Sequence, residues 1–149
     1  MTRGALRSAR DRGSPPRLPT RELVRLVRNR LPELEAVYVF GSAAAGTALP
    51  ESDLDLAVLA AAPIEPGERF ELAGDLARVV GREVDLVDLR SASDVLRVQA
   101  IAHGSRLFAR NPSAADAFEA YALSSYARLN EERHAILEQI QRDGTIHGR

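Results

Sequence analysis

Between Val37 and Leu59 the chain reads VYVFGSAAAGTALPESDLDLAVL. Ala36–Phe40 is short, β-branched and aromatic, and Leu54–Leu59 is apolar except at Asp55, so each predicts a β-strand. Gly41 breaks the first run, Ser42 is placed to cap a short helical turn over Ala43–Ala45, and residues 46–52 read as loop. A chain built this way must fold a strand, a tight turn and a second strand around one polar loop. It then carries two carboxylates, Asp53 and Asp55, at the start of the second strand. Successive strand side chains alternate, so these two share a face about 7 Å apart while Leu54 and Leu56 point the other way.

The remaining segments extend the pattern. Thr20 is placed to cap a helix over residues 21–30, with Leu23, Val24, Val27 and Leu31 as its apolar stripe and Pro32 as its stop. Residues 68–80 predict an amphipathic helix through Phe70, Leu72, Leu76, Val79 and Val80, closed by Gly81. Residues 83–89 predict a third strand, and Ser93 caps a helix reaching His103. Residues 106–109 suggest a short edge strand. From Ser113 a helix is expected to run to about Arg142, with Phe118, Ala122, Tyr126, Leu129, Ile136 and Ile140 along one side. Strands alternating with helices indicate an α/β sheet with helices packed on it. With 149 residues and 45% apolar residues, a single domain with a real core is expected. The division expected is a disordered Arg/Pro-rich arm (1–19), one domain (20–142) and a flexible tail (143–149).

Composition closes several chemistries. All 20 basic residues are arginine and there is no cysteine. Without lysine there is no Walker A loop, lysyl-AMP or Schiff base; without cysteine there is no thiol nucleophile or zinc–thiolate site. No apolar run approaches the roughly 18 residues of a membrane helix, and the first residues lack the apolar core of a secretory signal, so a cytoplasmic location is expected. Nine arginines fall within residues 1–30 against Asp11 and Glu22, which leaves the remainder acidic. That basic segment reads either as a contact for nucleic acid or an acidic partner, or as a solvated tail and the outer face of one helix.

Two carboxylates on one face repel when ionised and sit well together around a hard dication. A D-x-D at a strand end is also what a solvated loop-side pair looks like. Asp85, mid-strand in the third run, completes a three-carboxylate metal site if that strand neighbours the second; Asp88 reads as a strand-end hydrogen-bonder. Gly41 lets backbone approach a ligand, and the turn after it offers N–H groups and the Ser42 hydroxyl to a phosphate. Together these suit magnesium, one ion or two, bridging a triphosphate while a nucleophile attacks its α-phosphate and pyrophosphate leaves. His103, His134 and His147 read as helix-end, helix-surface and tail residues. Tyr121 and Tyr126 read as core or partner-face residues.

Gly41-Ser42, ten residues, then Asp53-x-Asp55, with Ser52 and Leu56 flanking the aspartates, resembles the minimal nucleotidyltransferases of the DNA polymerase beta superfamily. Over roughly residues 20–141 it is more narrowly similar to the MntA-type antitoxins of HEPN/MNT (HepT–MntA) toxin–antitoxin systems. The third carboxylate of that family corresponds to Asp85. The resemblance implies an α+β nucleotidyltransferase core with a small mixed sheet, flanking helices and a long C-terminal helix. It also implies Asp53, Asp55 and Asp85 as catalytic and metal-binding residues, Gly41 and Ser42 as nucleotide-binding residues, ATP as substrate and Mg2+ as cofactor. The expected activity is transfer of AMP to a tyrosine hydroxyl of a HEPN-domain, HepT-like RNase toxin held in a hetero-oligomer. No membrane is involved, and nucleic acid is not expected as direct substrate. The alternatives are an antitoxin that neutralises its toxin by binding, and a nucleotidyltransferase for a small molecule such as an antibiotic. Many relatives carry an arginine within the turn that here reads Ala43-Ala44-Ala45; Arg69, Arg82, Arg90 and Arg97 are the residues to examine as substitutes.

Overall fold

The structure, a computed structural model, describes residues 18–46 and 52–146. Most of the expected arm, the middle of the expected loop (residues 47–51) and the end of the expected tail, with His147, lie outside them. The order of elements is α1 (Thr20–Arg30), β1 (Leu34–Phe40), α2 (Ser42–Ala45), β2 (Leu54–Ala60), α3 (Pro66–Val80), β3 (Val84–Asp88), α4 (Asp94–Ala102), β4 (Ser105–Ala109) and α5 (Pro112–Ile146). The four strands form one sheet in the order β3-β2-β1-β4. β1 runs antiparallel to β2 and to β4, whereas β2 and β3 are parallel. A parallel pair needs a crossover, and α3 supplies it.

Strand alternation divides the core in two. Val37, Val39, Leu54, Leu56, Val58 and Leu86 face one side, where Leu23 and Val27 of α1 and Leu72 and Leu76 of α3 cover them. Ala36, Tyr38, Phe40, Ala57, Leu59 and Val87 face the other, against Ala100 of α4 and Ala115 of α5. The architecture is therefore a mixed sheet between two helical layers. Gly104 sits where the end of α4 crosses β1: a Cβ there would lie 2.2 Å from the Ala100 carbonyl oxygen and 2.5 Å from that of Val39.

Local expectations hold unevenly. Ser93 caps α4 by accepting from the Leu96 N–H at 3.2 Å, and Gly81 closes α3 in the left-handed conformation. Thr20 does not cap α1: it is already helical, Pro19 holds the cap position, and the Thr20 hydroxyl donates back to the Leu18 carbonyl. Ser42 is likewise inside its helix, and Gly41 is the cap residue. On α3, Leu72 and Leu76 are buried but Phe70 is 80% exposed. α5 continues to Ile146; its first half packs through Ala115, Phe118 and Ala122, while Ile136 and Ile140 stand in solvent.

Candidate active site

The register places the acidic residues. Phe40 of β1 pairs with Asp55 of β2, and Asp55 pairs with Asp85 of β3, so the three form one row across the sheet. The row lies on the side that carries Ala57, Leu59 and Val87, the side facing α4 and α5. Asp55 is half-buried and Asp85 exposed; Asp53 is exposed just ahead of β2. Burial pushes the Asp55 carboxyl above its ordinary value, and the charges of Asp85 and Asp53 push it further in the same direction. Both neighbouring carboxylates thus act on Asp55 electrostatically.

Gly41 is locked to this row. Its backbone, at φ 73° and ψ −150°, occupies a region essentially reserved for glycine. A Cβ there would fall 2.2 Å from Asp55 Oδ2. The turn therefore presses directly on the second carboxylate, and any side chain at position 41 would displace it.

The row opens into a cleft of about 770 Å3 lined by Gly41, Asp55 and Asp85 on the sheet side and by Leu96, Gln99 and His103 from α4 and its end. Among the described arginines, Arg69 alone lines it; its Nη1 donates to the Leu86 carbonyl at 3.0 Å. The other arginines singled out are engaged elsewhere. Arg90 donates to the Ala60 carbonyl and pairs with Glu35 at 2.9 Å, and Arg97 donates to the carbonyls of Leu89 and Arg90. Arg82 lies beside Phe70 in a separate depression. Asp88 is buried and accepts from the Ile64 and Arg90 N–H groups and the Ser91 hydroxyl. That is the strand-end role expected of it.

The donor chemistry suits a hard divalent cation, because oxygen ligands of like charge gain most from one between them. Among the described residues no three acidic or histidine side chains stand close enough to hold an ion as they are. The carboxylates are neighbours on one face, not a converged cage. Sequence reasoning missed Gln99 and the wall that α4 builds, and it had Arg69 only as one of four candidate arginines. No local motif announces them, since each enters the cleft only through tertiary packing.

The family model described as polymerase beta, nucleotidyltransferase, matches residues 22–113, from α1 to the start of α5. The chain belongs to the polymerase beta nucleotidyltransferase family. Within that family it is similar to the protein adenylyltransferase MntA of Shewanella oneidensis, 40% identical over 119 residues that span 80% of this chain and 85% of that one. A toxin–antitoxin crystal structure with AMP-PNP superposes with a TM-score of 0.76 at 39% identity, covering 83% of this chain and 99% of the other. A structure of a tri-AMPylated Shewanella oneidensis HEPN toxin in complex with MNT antitoxin matches with a TM-score of 0.69 at 36% identity, covering 82% and 95%. This nucleotidyltransferase is thus a homologue of MntA, and a nucleotide is the substrate class its family implies. No helix among its described residues is long and apolar enough to cross a membrane.

Proposed function

We propose that this nucleotidyltransferase is a magnesium-dependent protein adenylyltransferase that moves AMP from ATP to a tyrosine hydroxyl of a HEPN-domain RNase toxin, acting as its antitoxin in a hetero-oligomer. The observation that carries the reading is the in-register pairing of Asp55 with Asp85, beside Gly41, at the mouth of an open cleft. The adenylyltransferase named among its relatives, and the AMPylated toxin bound to one of them, supply the acceptor.

Asp53, Asp55 and Asp85 are the residues that would hold magnesium. Bound there, magnesium would neutralise triphosphate charge and would lower the pKa of an attacking hydroxyl. Gly41 and Ser42 bind the nucleotide, and the missing Gly41 side chain lets the Asp55 carboxylate lie directly against the turn. Arg69 supplies the cation that the Ala43–Ala45 turn lacks, from the opposite element of the cleft. The tyrosine oxygen forms the new bond to the α-phosphorus, the α–β phosphoanhydride bond breaks, and pyrophosphate departs. The hydroxyl proton passes to a cleft carboxylate. The same turn without arginine favours a second reading, an antitoxin that acts by binding alone.

The test mixes the purified protein, Mg-ATP and its HEPN partner and measures the partner's intact mass. Added AMP, abolished by Asp53→Asn with Asp55→Asn, is the expected result. A partner that is inhibited yet unmodified overturns transfer and leaves binding.

A further inference from the structure

Several arginines of this fold are charge-paired, and one set on α1 is not. Arg30, Arg78, Arg90, Arg97 and Arg106 each meet a carboxylate. Arg21, Arg25 and Arg28 meet none among the described residues, and all three are exposed. Spaced four and then three residues apart on α1, they form one stripe. Glu22, their acidic neighbour on the helix, lies about a quarter turn away. The stripe borders a groove of about 800 Å3 between α1 and the edge strand β4, floored by Val24 and Leu107, with Arg110 on the far rim. Arg110 donates to the Pro32 carbonyl at 2.5 Å, a bond that fixes its position without neutralising its charge. The groove shares no lining residue with the acidic cleft.

We propose that the α1–β4 groove binds the phosphodiester backbone of a double-stranded nucleic acid without reading its sequence. The arginine stripe spans about 10 Å along the helix axis, a length over which one strand of a duplex presents about three phosphates. Guanidinium groups match phosphate oxygens in geometry as well as charge. No aromatic ring lines the groove, and the nearby Phe108 is covered by the Arg28 guanidinium at 4.8 Å. The stacking platform that single strands need is absent from the lining. Five further arginines precede Leu18 in the sequence, so the basic character continues directly into α1. This assignment concerns binding and does not depend on the adenylyl-transfer reading.

The experiment titrates the full chain into fluorescein-labelled duplexes of RNA and of DNA, following anisotropy from about 50 to about 200 mM salt. With four phosphate contacts, affinity for the preferred duplex falls about a hundredfold over that range. Arg21→Gln, Arg25→Gln and Arg28→Gln combined weaken binding at low salt by at least about tenfold and cut the log–log salt slope by about three. The corresponding triple change to lysine keeps most of the slope and controls for folding, as does an unchanged thermal midpoint. Groove-dependent binding of either duplex supports the proposal, and the tighter one names the source. Absent binding, a glutamine variant that binds as well as wild type, or tighter binding of the single strand overturns it. Polyglutamate competing as well as duplex at equal charge also overturns it and assigns the groove to an acidic protein.

Discussion

Asp55 is half-buried, stands in register beside Asp85, and fills with its Oδ2 the space a side chain at Gly41 would need. Burial first, then Asp85 and Asp53, raise its carboxyl above the ordinary value. The folded protein therefore holds a proton at Asp55 more readily than the unfolded chain, and stability is lost as pH rises through the raised value. Asp55→Asn should raise the thermal midpoint by about 2–4 °C near pH 8, since water screens the half-exposed group to under about 1 kcal/mol. Near pH 4 the gain should vanish. A melting series across that range checks it, and a midpoint difference that stays flat with pH refutes the electrostatic account. Of this site, the sequence discloses what alternation and spacing govern: Asp55 opposite Leu54 and Leu56, and glycine at the break. It offers Asp85 only conditionally, because no periodicity says which strands are neighbours. It leaves Arg69 as one of four candidate arginines, because spacing does not say which guanidinium reaches the cleft; the one that does stands on α3, the helix between the two acidic strands.

At the scale of elements, strands were easier to read than helix faces. A run such as Ala36–Phe40 has no stable alternative to a strand, and the observed β1 adds only Leu34 and Glu35 at its start. Helix faces need the angle as well as the count. Leu72 and Leu76, four residues apart, share the buried side of α3, whereas Phe70 is two positions from Leu72 and so projects nearly opposite. An apolar tally groups all three; the 3.6-residue period separates them, leaving Leu72 and Leu76 fully buried and Phe70 in solvent. Leu76→Ala should accordingly cost about 2–5 kcal/mol, while Phe70→Ser should stay within about 0.5 kcal/mol. Urea unfolding of both variants distinguishes the two positions, and comparable losses would contradict this packing. The caps show the same limit: Ser93 and Gly81 act where expected, but Thr20 and Ser42 sit one residue inside their helices because Pro19 and Gly41 take the turn before them.

For the whole molecule, the question is what fixes a 35-residue helix, roughly 50 Å long, when only its first half touches the sheet. The answer includes a polar clasp. The buried Tyr38 hydroxyl donates to Glu119 at 2.7 Å, and the same carboxylate oxygen accepts from Arg106 of β4, which also reaches Asp116. Burial, and then the bond to Glu119, raise the Tyr38 pKa far above its usual value, so the phenol stays a neutral donor. Sequence reading could not pair residues 81 positions apart, and it treated the helix mainly through its apolar side. The clasp is asymmetric. Tyr38→Phe removes a donor while Glu119 keeps Arg106, which should cost about 0.5–1.5 kcal/mol. Glu119→Ala strands the Tyr38 hydroxyl in the core without its acceptor, which should cost about 1–3 kcal/mol. In the Tyr38→Phe background the Glu119→Ala penalty should shrink, because no buried donor is then left unpaired. A double-mutant cycle by chemical unfolding measures this; purely additive losses would mean that the Tyr38–Glu119 bond contributes nothing to holding α5.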